Sequence, residues 1–168
     1  AEVMKRGITA VPEDPRFVLG LAGLSERKGN FDEAIKIYDD YLASNPDSLL
    51  VINNIAVLLS EHKTDEKSLD RAVSMAEKLA DTKQPALLDT LGWAYYKKGD
   101  LENAASVLSG VVEQSPDVPV FRYHLGMTYY KQGDIRAAKE ILEKAVAEDY
   151  QYNGIDEARL VYEEITKE

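Results

Sequence analysis

The stretch LGWAYYKKGDL at residues 91–101 recurs almost unchanged as LGMTYYKQGDI at residues 125–135. The two copies lie 34 residues apart, and the same distance separates Pro12 from Pro46. Pro46 and Pro116 are 70 residues apart, which is two such periods with two additional residues. Self-similarity at a fixed period of this size is typical of repeat architectures, so the period decides how the rest of the chain is interpreted.

Four repeats follow from the period, at residues 15–48, 49–84, 85–118 and 119–152, and each is predicted to form two α-helices. Apolar residues recur at helical spacing, as in Leu101, Leu108 and Val112. Three prolines suit the first turn of a helix, at Pro15, Pro85 and Pro119. Glycines suit the turn between paired helices at Gly29, Gly99 and Gly133, and in the second repeat Lys63 stands in place of this glycine. Asn30 and Asp100 are predicted N-caps, and Asn30 with Glu33 predicts a capping box.

The second repeat carries the two additional residues. Its turn, residues 62–68, is predicted to be about four residues too long, and its second helix to end early, before Pro85. This segment has two interpretations, a tolerated surface loop or a loop that projects to contact a partner.

The pattern of Leu-Gly, tyrosine, a downstream alanine and a closing proline resembles the tetratricopeptide repeat along nearly the whole chain. The downstream alanines are Ala34, Ala72, Ala104 and Ala138. The resemblance implies an all-α fold, an α-solenoid of helix-turn-helix repeats. Residues 1–14 correspond to the second helix of a truncated earlier repeat, with Val3, Met4 and Ile8 as its apolar face. Residues 153–168 correspond to a C-terminal capping helix, or alternatively to the first helix of a repeat that continues beyond Glu168.

Composition narrows the possible functions. The 20 basic and 30 acidic residues give a net charge of −10, which disfavours nucleic acid and anionic membrane surfaces as partners. The chain has no cysteine and no apolar run long enough to span a membrane. We find no phosphate loop, hydrolase motif or metal-ligand spacing, so the sequence predicts no enzymatic activity, no catalytic residue, no metal and no cofactor. His124 is assigned a packing or surface role.

The resemblance implies a concave groove lined mainly by the first helix of each repeat. The candidate ligand-binding residues, each on one predicted helix face, are Asn53, Val57, Asp89, Trp93, Tyr96, Tyr123, Met127 and Tyr130. Trp93 stands five residues after the usual place of the family tryptophan, and with the tyrosines it predicts an aromatic wall. The alternative is that Trp93 packs against the adjacent repeat. The Lys and Arg positions of the clamp that holds acidic chaperone tails are not matched here, and only Asn54 agrees.

These observations predict a scaffold that binds a neutral to basic protein or peptide partner. The sequence of the repeats is similar to bacterial tetratricopeptide lipoproteins of exopolysaccharide export and protein-sorting systems. This resemblance implies a periplasmic or outer-membrane-associated assembly. The residues themselves do not distinguish this compartment from the cytoplasm. Two alternatives are a carbohydrate-binding module, in which Trp and Tyr rings stack on sugars, and a spacer or oligomerisation segment of a larger enzyme. In the latter, the N-terminal half-repeat would mediate self-association.

Overall fold

The computed structural model describes residues 2–147 and 150–167, and every regular element in these ranges is an α-helix. The helices are α1 (Glu2–Ala10), α2 (Pro15–Glu26), α3 (Phe31–Leu42), α4 (Leu49–His62), α5 (Glu66–Glu77), α6 (Pro85–Lys98), α7 (Leu101–Gln114), α8 (Pro119–Gln132), α9 (Ile135–Ala145) and α10 (Ile155–Thr166). The prediction of an all-α chain is therefore confirmed for the described residues. None of these helices combines the length and apolarity that a bilayer crossing requires.

The chain divides into two compact units, residues 1–79 and residues 80–168. In unit 1, α2 packs against α3 and α4 against α5; in unit 2, α6 packs against α7 and α8 against α9. Each of these helix pairs lies inside one predicted repeat range. The division into repeats at those particular boundaries stays a prediction.

Helix starts follow the local sequence with one exception. Pro15, Pro85 and Pro119 each occupy the first turn of a helix, and the Asp100 carboxylate caps α7 by accepting from the Asn103 backbone N–H at 3.3 Å. Asn30 is the N-cap of α3, but its side chain makes no capping bond to the backbone. The predicted capping box is therefore wrong, because the Asn30 amide donates instead to the Glu33 carboxylate at 3.4 Å.

In unit 2, two helices are followed immediately by a glycine whose backbone has the left-handed helical conformation. Gly99 (φ +90°) follows α6 and Gly133 (φ +83°) follows α8, as predicted, because a residue without Cβ adopts positive φ without strain. Lys63 follows α4 with φ −125° and ψ 143°, so this helix ends in extended backbone instead. The replacement of glycine by lysine is thus accommodated by a different exit from the helix.

The two additional residues of the second repeat lie mainly after α5. The break between α4 and α5 comprises residues 63–65, one residue more than the break between α6 and α7, so the predicted excess of about four is wrong. Helix α5 ends at Glu77, which confirms the early end, and residues 78–84 connect it to Pro85. The connection absorbs the length because backbone outside a helix can be extended without breaking a hydrogen-bonded turn.

Helix α1 packs on α2 through residues that differ in part from the predicted face. A Cβ at Gly20 would meet the Met4 side chain at 3.0 Å, and one at Gly7 would meet the Phe17 ring at 2.3 Å, so these glycines permit close approach. Met4 and Ile8 are half-buried, whereas Val3 is 73% exposed. The predicted face of Val3, Met4 and Ile8 is therefore wrong for Val3, because Met4 and Ile8 share the side that contacts α2. Self-association stays a prediction.

Candidate functional site

The predicted site residues lie on three helices in the two units. Asn53 and Val57 are on α4 of unit 1; Asp89, Trp93 and Tyr96 are on α6, and Tyr123, Met127 and Tyr130 are on α8, of unit 2. Each unit is therefore described separately.

In unit 1, the two adjacent asparagines have different surroundings. The Asn54 amide donates to the Tyr38 hydroxyl at 3.2 Å, and that hydroxyl donates to the Glu26 carboxylate at 2.8 Å. Burial, together with the hydrogen bond to Glu26, raises the pKa of Tyr38 well above its usual value. Asn53 is half-buried, and its Oδ1 atom is buried without a hydrogen-bond partner among the described residues. Asn54 thus belongs to an internal network, and the choice of Asn53 as the asparagine that binds a ligand stays a prediction.

Two apolar side chains on α4 remain in solvent. Leu50 is 54% exposed and Val57 is 39% exposed, although other apolar residues of this helix, such as Ile52 and Ile55, are buried. The two exposed residues are seven positions apart, which places them on the same side of the helix.

In unit 2, Trp93 is not part of an open aromatic wall. Only 8% of the residue is exposed, and its ring stacks on Tyr96 at 4.3 Å and on His124 at 4.0 Å between centroids. Tyr123 and Met127 are each 3% exposed and belong to the same buried cluster. The prediction that these three residues line an accessible groove is therefore wrong. The alternative, that Trp93 packs against the neighbouring helix pair, agrees with its contact with α8.

Helix α10 explains why the predicted groove residues of α8 are covered. The Tyr123 hydroxyl donates to the Glu157 carboxylate at 2.5 Å, and the Tyr130 hydroxyl donates to Glu164 at 3.1 Å. In both pairs the residues are 34 positions apart, so α10 lies in the register of a further first helix. At Gly154 (φ +93°) an added Cβ would lie 2.4 Å from the Tyr123 ring, so a glycine is needed where α10 begins.

Asp89 pairs with His124, a residue for which the sequence predicts only a packing or surface role. The Nδ1 atom of His124 lies 2.8 Å and 2.9 Å from the two carboxylate oxygens of Asp89, and both side chains are largely buried. Asp89 is thus held by α8 and does not extend into a groove as predicted. No local motif marks this pair, because its members are 35 residues apart and meet only when α8 packs against α6.

Around the Trp93 ring, Tyr96, His124 and Tyr130 are half-buried, although only 12% of the His124 side chain is exposed. We call these three residues the α6–α8 face. The Lys131 ammonium lies 4.7 Å from the centre of the Tyr96 ring, a cation–π contact that orders both groups. Burial, together with the negative charge of Glu157, raises the pKa of Tyr96 to about 12.

A cavity of about 260 Å³ in unit 1 was not predicted from the sequence. It lies among α1, α2 and α3, and its lining is mainly apolar, with Ile8, Val18, Leu21 and Ile37 beside the Asp40 carboxylate. No periodic signal identifies it, because it arises from the way three helices meet. Within the described ranges, we find no cluster of three or more His, Asp or Glu side chains that could hold a metal ion.

The chain contains tetratricopeptide repeats. Two family models with that description match residues 1–48 and residues 95–155. A TPR repeat-containing protein of Pseudomonas aeruginosa is 28% identical over 116 residues, which represent 69% of this chain and 20% of the relative. The chain therefore spans about a fifth of the length of that curated relative.

Solved structures of other tetratricopeptide proteins share the fold. YrrB, described as a TPR protein with an unusual peptide-binding site, aligns with a TM-score of 0.69 and 18% identity over 98% of this chain and 82% of its own. PilW, described as a type IV pilus biogenesis factor, aligns with a TM-score of 0.80 and 19% identity over 98% of this chain and 74% of its own. The predicted fold class, an α-solenoid of helix-turn-helix repeats, is confirmed, and a protein-interaction scaffold is consistent with it.

Proposed function

We propose that the chain is a non-enzymatic scaffold that binds a peptide or helix of a partner protein through the first helices of its repeats. The observation that carries this proposal is the stack of Tyr96, Trp93 and His124. The buried indole holds Tyr96 in a fixed orientation, and Tyr96 itself is only half-buried. Aromatic side chains fixed in this way are effective anchors, because little conformational entropy is lost when a ligand binds.

Exposed apolar residues support a second contact region on α4. Leu50 and Val57 are 54% and 39% exposed, and Asn53 lies between them with an unpartnered Oδ1 atom. An apolar side chain of a partner would cover the two aliphatic residues, and the half-buried Asn53 would offer its amide to the partner backbone. This region of unit 1 would then bind its ligand by apolar contact and one directional hydrogen bond.

The charge of the chain favours a neutral or basic partner. With a net charge of −10, an acidic tail would be repelled, whereas a basic segment would be attracted. Asn54, which matches the asparagine of the chaperone-tail clamp, is engaged by Tyr38. Both points argue against an acidic chaperone tail as the ligand.

The proposal also places this scaffold in a larger bacterial assembly or export system. Its support is the similarity of the fold to PilW, which is described as a type IV pilus biogenesis factor. The matched proteins described above carry no reference to exopolysaccharide, so that association has no support from them. The carbohydrate alternative has lost its main argument, because an indole that is 8% exposed cannot stack on a sugar ring.

Peptide selection tests the proposal directly. The chain would be immobilised and used to select binders from a displayed library of short random peptides, and each selected sequence would be synthesised and titrated by calorimetry. We expect the double substitution Tyr96→Ala and Tyr130→Ala to weaken binding by about tenfold or more, because truncated aromatic anchors typically cost that much.

The matched control is His62→Ala. His62 is an exposed aromatic residue of unit 1 that stacks on Phe31 with 3.5 Å between the ring centroids, and it lies outside the proposed contact regions. It should leave the affinity unchanged, and circular dichroism should report the same helix content for all variants. Peptides that bind the double variant as tightly as the unmodified chain, or the failure to select any peptide, would overturn the proposal.

A further inference from the structure

The cavity of about 260 Å³ among α1, α2 and α3 of unit 1 has an apolar interior. Its floor is buried, since Val18 is 2% exposed and Tyr41 is 8% exposed. Three half-buried side chains, one from each helix, form its walls: Ile8, Leu21 and Ile37. An apolar cavity of about 150 Å³ holds a benzene ring, so this cavity has room for an aromatic ring or a branched alkyl group with a short arm.

The mouth of the cavity presents an unpaired carboxylate. Asp40 and Ser44 line the cavity, and both residues are exposed, which places them where it meets solvent. The Asp40 carboxylate makes no ion pair or hydrogen bond with any residue that the structure describes. A charged acceptor therefore lies at the entrance to an apolar space.

Asn45 adds a second acceptor with a fixed orientation. Its amide nitrogen donates to the backbone oxygens of Pro12 and Tyr41, at 3.3 Å in each case. Because a carbonyl oxygen only accepts hydrogen bonds, these two contacts require the nitrogen and not the oxygen of the amide. The Oδ1 atom of this half-buried lining residue thus keeps its capacity to accept from a ligand.

The electrostatics of the cavity favour a cation. Among the described residues that line it, none is Lys, Arg or His, so none of them complements an anion. Helices α1 and α3 both end beside the cavity, since Ile8 lies in the last turn of α1 and Asp40 in the last turn of α3. The C-terminal end of a helix carries a partial negative charge, which adds to the charge of the Asp40 carboxylate.

The positions of the apolar and charged parts specify how a ligand is built. A lysine or arginine side chain that entered end first would carry its charge to the apolar floor, where an unpaired charge is costly to bury. A molecule whose apolar body enters first keeps its cationic group at the mouth, beside Asp40. The cavity is at the lower end of the size range of ligand pockets, so that body is small.

We propose that this cavity is a binding site for a small organic ammonium compound with an apolar body about the size of one aromatic ring. The body fills the space between Ile8, Leu21 and Ile37, and the ammonium group donates hydrogen bonds to Asp40 and Asn45. The site shares no residue with the α6–α8 face or with the proposed contact region on α4. It is therefore a function beyond the proposed scaffold, and either proposal can fail without the other.

Three probes that share a phenyl ring and a short chain test the chemistry of the ligand. They are 2-phenylethylammonium, 2-phenylethanol and phenylacetate, which at about pH 7 carry a positive charge, no charge and a negative charge. Each probe is titrated into the full chain and followed by NMR of the methyl groups.

We expect the ammonium probe to shift the methyl signals of Ile8, Leu21 and Ile37 saturably. The alcohol should bind about threefold to fivefold more weakly, because an exposed ion pair contributes about that much, and the anion should bind most weakly. The lack of saturable shifts at these methyl groups would overturn the site. Equal or tighter binding of the alcohol or of the anion would overturn the assignment of its ligand as an ammonium compound.

The variant Asp40→Asn removes the charge with little change in shape. It should weaken binding of the ammonium probe about threefold to fivefold and leave binding of the alcohol unchanged, so that the selectivity is lost. Asp81→Asn is the matched control, since Asp81 is also an exposed aspartate and does not line the cavity. This control removes the same charge from the chain and should keep the selectivity.

Circular dichroism should report the same helix content for both variants. If Asp40→Asn keeps the selectivity, or if both variants lose it equally, the preference for a cation does not come from the carboxylate at the mouth and the proposal is wrong.

Discussion

At the scale of single residues, Gly92 and Gly126 show why the Leu-Gly signature is needed. A Cβ at Gly92 would lie 2.5 Å from Cγ of Leu108, and one at Gly126 would lie 2.6 Å from Cγ of Leu142. Both leucines are fully buried, so neither can move aside without disturbing the core. The glycines therefore set how closely the two helices of a pair can approach.

We expect Gly92→Ala to destabilise the chain by about 1–2 kcal/mol, because the overpacking penalty exceeds the gain in helix propensity. Gly110→Ala is the matched control, since a Cβ there meets nothing within 4 Å on helix α7. That substitution should be neutral or stabilise by up to about 1 kcal/mol. Urea denaturation of both variants measures the difference, and equal stabilities would show that the close approach at Gly92 does not exist.

The raised pKa of Tyr96 predicts that the folded chain loses stability in alkaline solution. Its pKa rises from 10.0 to about 12 in the folded chain. Between these values the unfolded chain ionises and the folded chain does not, so stability is complete below pH 10 and falls as the pH rises from 10 towards 12. Urea denaturation across this range should show a smaller loss for Tyr96→Phe than for the unmodified chain. An identical loss in both would mean that Tyr96 is not shielded.

At the scale of elements, α10 contributes buried side chains to the core of unit 2. Ala158, Val161 and Ile165 lie in the same buried cluster as Trp93 and Met127. Of its apolar residues, Ile155, Ala158 and Ile165 are buried, and Tyr162 is half-buried. The helix therefore shields the face of α8 that would otherwise be open, and this explains why the aromatic residues of α8 are covered.

Two substitutions on α10 that remove the same number of carbon atoms test this arrangement. Ile165 is 5% exposed and Leu160 is 68% exposed. Ile165→Ala should destabilise the chain by about 2 kcal/mol or more, because it leaves a cavity in the core. Leu160→Ala should change the free energy of unfolding by less than about 0.5 kcal/mol. Thermal unfolding followed by circular dichroism compares the two, and similar values would place α10 outside the core.

At the scale of the whole molecule, the chain consists of two units that each contain buried apolar residues from several helices. Unit 1 buries Tyr38, Ile52 and Ile55, and unit 2 buries Leu108 and Leu142. In repeat proteins, stability is approximately a sum of local contributions from repeats and their neighbours. A segment that keeps its own neighbouring contacts should therefore keep its fold.

We accordingly expect residues 80–168 to fold without residues 1–79. The isolated segment should be helical and should unfold cooperatively. An unfolded or molten segment, detected by circular dichroism and by NMR dispersion, would show that the core of unit 2 depends on unit 1.

The sequence was sufficient for the helix starts at proline and for the glycine turns, because their causes are local. Proline at the first turn, an Asp100 cap and positive φ at Gly99 each depend on a few neighbouring residues. The capping box at Asn30 failed because two side chains can bond to each other as well as to the backbone. The candidate site was predicted less completely, because accessibility depends on helices that are distant in sequence.

What the sequence alone determined is the repeated helical hairpin, since its period, its glycines and its alanines specify how neighbouring helices pack. What only the tertiary structure decided is which side of each first helix stays open. Trp93 is buried because α8 packs against it through His124, a residue that lies 31 positions later in the sequence. The same packing brought Asp89 to His124, and a pairing of this kind depends on the distance between two helices, which no local pattern encodes.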